Sequence, residues 1–299
     1  MSSQNKNTFF GGAAILAIGI AVVKVIGMFY KIPLVNIVGD AGYADFSNAY
    51  YIYSVLLTIS TAGLPVALSK MVSEANTLGR RDQVHKVFRI ALGTFLLLGV
   101  ASFLVMYFGA DQLAGLMGDS LAATGIRVLA PAVVCVGCLA AFRGYAQGHG
   151  NMAPTAISQI IEALCKLFLG LGLAVYLVSI GCREYEAAAG AIAGVTVGTV
   201  LALGYMVLSY AHQRTREGAC TDPRTESSGT ILRTLLAIAI PITLTSSMVG
   251  IVTVIDSALV QGQLQKALVS TPDSWTLYQH FIDFSSLNDA LSAGSSEAA

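Results

Sequence analysis

The chain has 299 residues, of which 55% are hydrophobic and only 11% charged, with 17 basic and 17 acidic side chains giving a formal net charge of zero. Its mean hydropathy of +0.70 is far from that of a soluble domain, in which about a quarter of residues carry charge. Such a composition excludes an ordinary soluble enzyme and points to an integral membrane protein, and with zero net charge the information lies in how charge is distributed.

A hydrocarbon core of about 30 Å needs roughly 20 consecutive apolar helical residues. Seven stretches qualify: 9–34, 44–69, 87–108, 121–142, 155–180, 187–211 and 231–260. The fold class implied is all-α, a polytopic membrane helix bundle. The first stretch is too long for a signal-peptide core and no plausible cleavage site follows it, so it belongs to the mature chain. The organisation expected is an N-terminus over 1–8, a six-helix lobe over 9–211, a linker over 212–230, a seventh helix over 231–260 and a polar tail over 261–299, atypical or disordered. Because no further apolar stretch follows Val260, the chain reads as truncated: one six-helix lobe plus the first helix of a second.

Loop charges set the expected orientation. Lys70, Arg80, Arg81, Lys86 and Arg89 gather between the second and third spans, and Arg214, Arg216, Arg224 and Arg233 between the sixth and seventh. Basic loops stay cytoplasmic. The 109–120 loop carries Asp111 and Asp119 without Lys or Arg, and 181–186 carries only Arg183, so both read as external. The N-terminus is then cytoplasmic.

Within the spans, Pro33, Pro65, Pro131 and Pro241 each remove a backbone donor, and the freed carbonyl needs a partner from a neighbouring helix or water. Ordinary kinks and a cavity shaped for bending are both consistent with them. Gly144 and Gly148, like Gly190 and Gly194, have the small-x-x-x-small spacing of close helix crossings. Cys135 and Cys138 form a C-x-x-C, but redox or metal chemistry needs accessible thiolates. In hydrocarbon they read as small packing residues.

A charge at mid-bilayer costs about 2.5 to 3.5 kcal/mol or more, so ionisable residues in spans are the sharpest signal. Lys24 stands about 22 Å into the first span, further than snorkelling covers, and is read as a cation facing a water-filled cavity. Glu162 and Lys166 lie at i and i+4 of the fifth span, about 12 and 18 Å from its start, on one face where they neutralise each other. A structural ion pair and a substrate or ion-coupling site are equally compatible with them. Arg127, Arg143 and Asp256 stand near span ends and read either as interfacial anchors or as site residues. The chain has no phosphate loop, no H-E-x-x-H and no G-x-S-x-G, which argues against ATP drive, hydrolysis, an enzyme or a resident metal. No nucleic-acid partner is needed to explain the basic loops.

The segments Lys24-Val-Ile-Gly-Met-Phe-Tyr-Lys31-Ile-Pro33, Ala62-Gly-Leu-Pro65-Val-Ala-Leu-Ser69-Lys70 with Glu74, Phe142-Arg143-Gly144-Tyr145-Ala-Gln147-Gly148, Pro154-Thr-Ala-Ile-Ser-Gln159 and Ile255-Asp256-Ser257 resemble the stage V sporulation protein B group. That group belongs to the polysaccharide and lipid II flippase branch of the multidrug/oligosaccharidyl-lipid/polysaccharide exporter superfamily. The resemblance covers about residues 8 to 265. It implies two six-helix lobes around a central cavity, and movement of polyprenyl-pyrophosphate-linked saccharide across the bacterial cytoplasmic membrane by alternating access. It also implies basic residues of the first span facing the cavity, a position that Lys24 matches best and Lys31 more loosely. With Arg127 and Arg143 these form the substrate-binding candidates; Glu162, Lys166 and Asp256 are the ion-pair or coupling candidates. No cofactor is implied, and the drive would be a Na+ or H+ gradient or the membrane potential. The partners implied are the lipid-linked saccharide, membrane lipids and cell-wall synthesis proteins. Two other readings stand beside this one: a drug or cation antiporter of the same superfamily, which would need an acidic cavity site, and a non-transporting envelope or sporulation scaffold or inactive fragment.

Overall fold

The computed structural model of the chain describes residues 3–217 and 225–270; Arg224 and most of the expected polar tail, 271–299, lie outside the described residues. Every described element is helical. In chain order they are α1 (Ser3–Thr61), α2 (Leu64–Thr77), α3 (Arg81–Phe108), α4 (Ala110–Leu116), α5 (Ala122–Gly148), α6 (Ala153–Cys165), a π-turn (Lys166–Gly170), α7 (Leu171–Ser179), α8 (Glu184–Glu217) and α9 (Ser228–Ser270). Helix α9 therefore continues ten residues into the stretch expected to be tail.

Six helical stretches are long and apolar enough to cross a bilayer: Ala14–Thr77, Arg81–Phe108, Ala122–Gly148, Ala153–Ser179, Glu184–Thr215 and Ser228–Val260. The first is 64 residues long, and if straight would measure about 96 Å, three times the hydrocarbon thickness. It doubles back at Gly39. The rings of Tyr30 and Phe46, on either side of that glycine, lie 6.1 Å apart, whereas an unbroken helix would separate the two residues by about 24 Å. One continuous stretch thus holds the first two of the seven expected spans as the limbs of a hairpin. Gly39 has φ 73° and ψ 174°, a backbone region open essentially to glycine alone. A Cβ there would also meet the Glu184 carboxylate at 3.4 Å.

The core is built on α5, which packs against α8, α3, α1 and α2 and buries Ile126, Leu129, Val133, Leu139 and Tyr145. Small residues bring the helices together. A Cβ on Gly148 would come within 2.6 Å of Val72, one on Gly144 within 3.0 Å of the Pro65 carbonyl, and one on Gly194 would collide with the backbone of Gly170. Both small-x-x-x-small pairs therefore stand at helix crossings. Beside Pro131, the Thr196 hydroxyl of α8 donates to the Val128 carbonyl of α5 at 3.1 Å, a hydrogen bond that ties the two helices together. At one end of the bundle Phe88 of α3 stacks against Phe142 and Tyr145 of α5 and Tyr210 of α8, with ring centroids 4.8–5.3 Å apart.

Outward faces are apolar: Leu97, Phe108, Leu208 and Val249 are 70–73% exposed. In water such a surface would drive aggregation; against lipid tails it costs nothing. The chain divides into two compact units, 1–254 and 255–299, and of the second only the end of α9 is described.

Candidate functional site

The second limb of the hairpin carries Tyr43, Phe46, Tyr50 and Tyr53 at spacings of three and four residues, which places them along one helical face. Their rings follow one another at centroid distances of 6.2, 5.9 and 5.6 Å. Tyr30 on the first limb closes against Phe46. Into this box projects Lys166, the first residue of the π-turn, with Nζ 4.8 Å from the Tyr30 ring, 4.6 Å from Tyr50 and 5.9 Å from Phe46. Lys31 stands over Tyr43 at 5.6 Å. Together Tyr30, Lys31, Tyr43, Phe46, Tyr50 and Lys166, with Gly27, Leu34, Ser47 and Tyr51, line a cavity of about 230 Å³.

Ring faces hold a cation electrostatically without cancelling its charge. Among the described residues Lys166 forms no ion pair with a carboxylate, and its ammonium group is held against the ring faces of Tyr30, Tyr50 and Phe46. The hydroxyl of Tyr30, a residue only 3% exposed, has no hydrogen-bond partner among the described residues. A buried unsatisfied hydroxyl is costly, and this one belongs to a residue lining the cavity. Two ammonium groups and several phenol donors around one small space form an arrangement suited to a phosphate.

The expected pairing of Glu162 with Lys166 is not what the structure contains. Glu162 Oε2 accepts from Arg143 Nη2 at 3.0 Å, while Arg143 Nε donates to Ser158 Oγ at 2.9 Å. Ser158 in turn donates to the Thr155 carbonyl at 2.8 Å. The physical reason is geometric. A guanidinium presents several donors in a rigid fork, and Ser158 and Glu162, one turn apart on α6, offer two acceptors at matching height. Lys166 opens a π-turn, whose extra residue per turn alters the helical register beyond Cys165. Arg143 is therefore a cross-link between α5 and α6 and not an interfacial anchor.

The other residues singled out from the sequence are dispersed. Arg127 is at the surface, its Nη2 2.6 Å from Asp111 Oδ2 of α4. Lys24 is exposed on α1, two turns before Lys31 and on the same face, about 10 Å along the axis. Asp256 is exposed on the part of α9 that falls in the second unit. Among the described residues no group of three or more His, Cys, Asp or Glu side chains could hold a metal ion. Sequence reasoning missed Tyr30, Tyr43, Phe46, Tyr50 and Ser158. The aromatic repeat from Tyr43 to Tyr53 was the available signal.

Six helical stretches long and apolar enough to cross a bilayer, packed around a small cavity lined by two lysines, define a multi-pass membrane protein. Residues 9–267 match the family described as polysaccharide biosynthesis protein, and the chain belongs to that family. It is 30% identical to an uncharacterized membrane protein, YabM, of Bacillus subtilis (strain 168), over 82% of this chain and 46% of that protein. It is also 30% identical to the lipid II flippase MurJ of the same organism, over 62% of this chain and 38% of MurJ. To its stage V sporulation protein B it is 26% identical, over 70% of this chain and 40% of that protein. The chain thus spans less than half the length of these curated relatives. A solved structure of MATE in complex with MaD5 superimposes with a TM-score of 0.69, at 18% identity, over 81% of this chain and 54% of that one. That likeness establishes a shared fold.

Proposed function

We propose that the protein is a flippase that moves a polyprenyl-pyrophosphate-linked saccharide, a peptidoglycan precursor or polysaccharide repeat unit, across a bacterial cytoplasmic membrane by alternating access. The observation that carries this reading is the tyrosine-lined cavity holding Lys31 and Lys166. A pyrophosphate is too costly to pass through hydrocarbon bare, so its carrier must offer cations in a polar recess while the lipid tail stays in the bilayer. Lys24, on the face of α1 that leads to Lys31, extends that cationic track toward the N-terminal end. The N-terminus is cytoplasmic in this reading, and a Na+ or H+ gradient or the membrane potential supplies the drive, about 2.3 kcal/mol per unit charge per 100 mV.

A drug or cation antiporter would call for an acidic cavity site. Glu162 is the one acidic residue deep in the sequence-expected spans, and its carboxylate is occupied by Arg143, which favours the flippase. The test is transport of a fluorescent polyprenyl-pyrophosphate saccharide in vesicles carrying equal amounts of each variant. Lys24→Ala and Lys31→Gln are expected to lose transport, and Lys24→Arg to retain part of it, because charge is the needed property. Wild-type rates in both neutral variants would reject the cationic path.

A further inference from the structure

A second cavity, sharing no residue with the first, lies where α3 begins and α8 ends. It encloses about 490 Å³ between Asp82, His85, Lys86 and Arg89 of α3 and Tyr210 and Arg214 of α8, within the roughly 300–1,000 Å³ of small-molecule sites. We propose that this cavity binds the phosphate of an anionic ligand, and that the ligand is the headgroup of an anionic phospholipid at the membrane surface.

Three observations carry the proposal. The first is charge. Lys86, Arg89 and Arg214 face one carboxylate, Asp82, so the lining keeps a net positive charge of about two with His85 neutral. Lys86 Nζ donates to the backbone carbonyl of Glu226, an uncharged acceptor that leaves the ammonium's charge uncancelled. Like charges gathered from two helices repel one another, and a bound anion relieves that repulsion.

The second is chemistry and register. Asp82, Lys86 and Arg89 recur at spacings of four and three on α3 and so share one face, to which α8 adds Arg214. Both Arg89 and Arg214 are exposed, and a guanidinium matches phosphate oxygens through two parallel N–H donors. The third is depth. Arg89 is the third residue of the apolar stretch 87–108, and Arg214 stands three residues beyond the stretch 187–211. The cavity therefore sits at the boundary between hydrocarbon and water, where headgroup phosphates lie. Its wall is Tyr210, held in ring contact with Phe88 at 4.8 Å and of the residue type enriched at that boundary. A soluble phosphate has the same oxygens but no reason to be concentrated at this depth.

The full chain in neutral detergent, titrated separately with dioctanoyl phosphatidylglycerol, dioctanoyl phosphatidylcholine and inorganic pyrophosphate and followed by native mass spectrometry, tests the site. Wild type is expected to bind phosphatidylglycerol more tightly than phosphatidylcholine. The pair Arg89→Gln with Arg214→Gln should weaken phosphatidylglycerol about tenfold or more, two charge-assisted bonds being lost, and the pair Arg89→Lys with Arg214→Lys should keep most of the affinity. If pyrophosphate alone depends on the arginines, the phosphate site stands and the lipid as its source is overturned. Equal affinity of wild type and the glutamine pair for both anionic ligands overturns the site itself. Should the glutamine pair not elute as a single species, Arg214→Gln alone, at an exposed helix end, is judged by the same comparison.

Discussion

Arg143 and Lys166 are two cations of the same bundle that meet the low-dielectric interior in opposite ways. Arg143 is neutralised: one carboxylate and one hydroxyl of α6 take its donors at 3.0 and 2.9 Å. Lys166, four residues beyond that carboxylate, is surrounded by ring faces and makes no ion pair among the described residues. The contrast separates two uses of a buried charge. A cation closed off by a counter-ion holds helices together and has little left to give a ligand, whereas one held by quadrupoles stays electrostatically open. In the proposed flippase the first is read as structural and the second as binding, and that reading can be tested.

The sharpest way to break this comparison is to remove the counter-ion. Taking one partner from a fully buried pair costs about 3–5 kcal/mol. Here the side chains of Arg143 and Glu162 are 15% and 27% exposed, so solvent screening reduces the expected loss for Glu162→Gln to about 2 kcal/mol. Adding Arg143→Gln should recover part of that loss, because the orphaned guanidinium goes with it. Adding Lys166→Gln instead should recover less, because Lys166 does not bond that carboxylate directly. Thermal unfolding of the purified variants, arranged as two double-mutant cycles, reads both couplings. Recovery through Lys166 and not through Arg143 would restore the i, i+4 pairing and remove the basis for treating Lys166 as open.

That outcome also measures how far the site could be read from sequence. The bundle was legible because a bilayer demands long apolar runs, and the seven runs correspond to the described helices once Gly39 is seen to fold α1 onto itself. Gly144, Gly148, Gly190 and Gly194 were legible as crossings because only small residues admit such approach. The partner of Glu162 was not, since spacing along one helix says nothing of what a neighbouring helix offers, and Arg143 lies nineteen residues earlier on α5. The box around Lys166 escaped for a related reason. Its rings come from both limbs of a hairpin and its cation from a π-turn, a change of register that no apolar period announces.

A smaller effect sharpens the other half of the comparison. Lys166→Met removes cation–π contacts worth about 0.5–2 kcal/mol and at the same time relieves the burial of an ammonium, so stability should change by no more than about 1 kcal/mol. Transport should fall with it. The informative quantity is the ratio: Lys166→Met should leave the unfolding midpoint near wild type at vesicle abundance equal to wild type, and still reduce flipping of the lipid-linked saccharide. A loss of stability as large as that of Glu162→Gln would mean that Lys166 is held for the fold, and the two cations would then differ in partner but not in purpose.

The smallest effect belongs to a control on α5 itself. Arg127 and Arg143 sit sixteen residues apart on the same helix, and each has one carboxylate partner, Asp111 at 2.6 Å for the first and Glu162 at 3.0 Å for the second. Distance alone ranks the Arg127 pair as the stronger. Environment reverses the order: the side chains of Arg127 and Asp111 are 43% and 69% exposed, and an ion pair open to solvent contributes about 0–1 kcal/mol because water screens it and two flexible side chains must be held. Arg127→Gln should therefore shift the unfolding midpoint least of the variants considered, and the shift should shrink further in high salt as screening grows. The cost of Glu162→Gln should be nearly salt-independent, its partners being largely out of reach of ions. If Arg127→Gln instead destabilised as much as Glu162→Gln, burial would not be what distinguishes these charges, and the assignment of roles drawn from the contrast between Arg143 and Lys166 would fall with it.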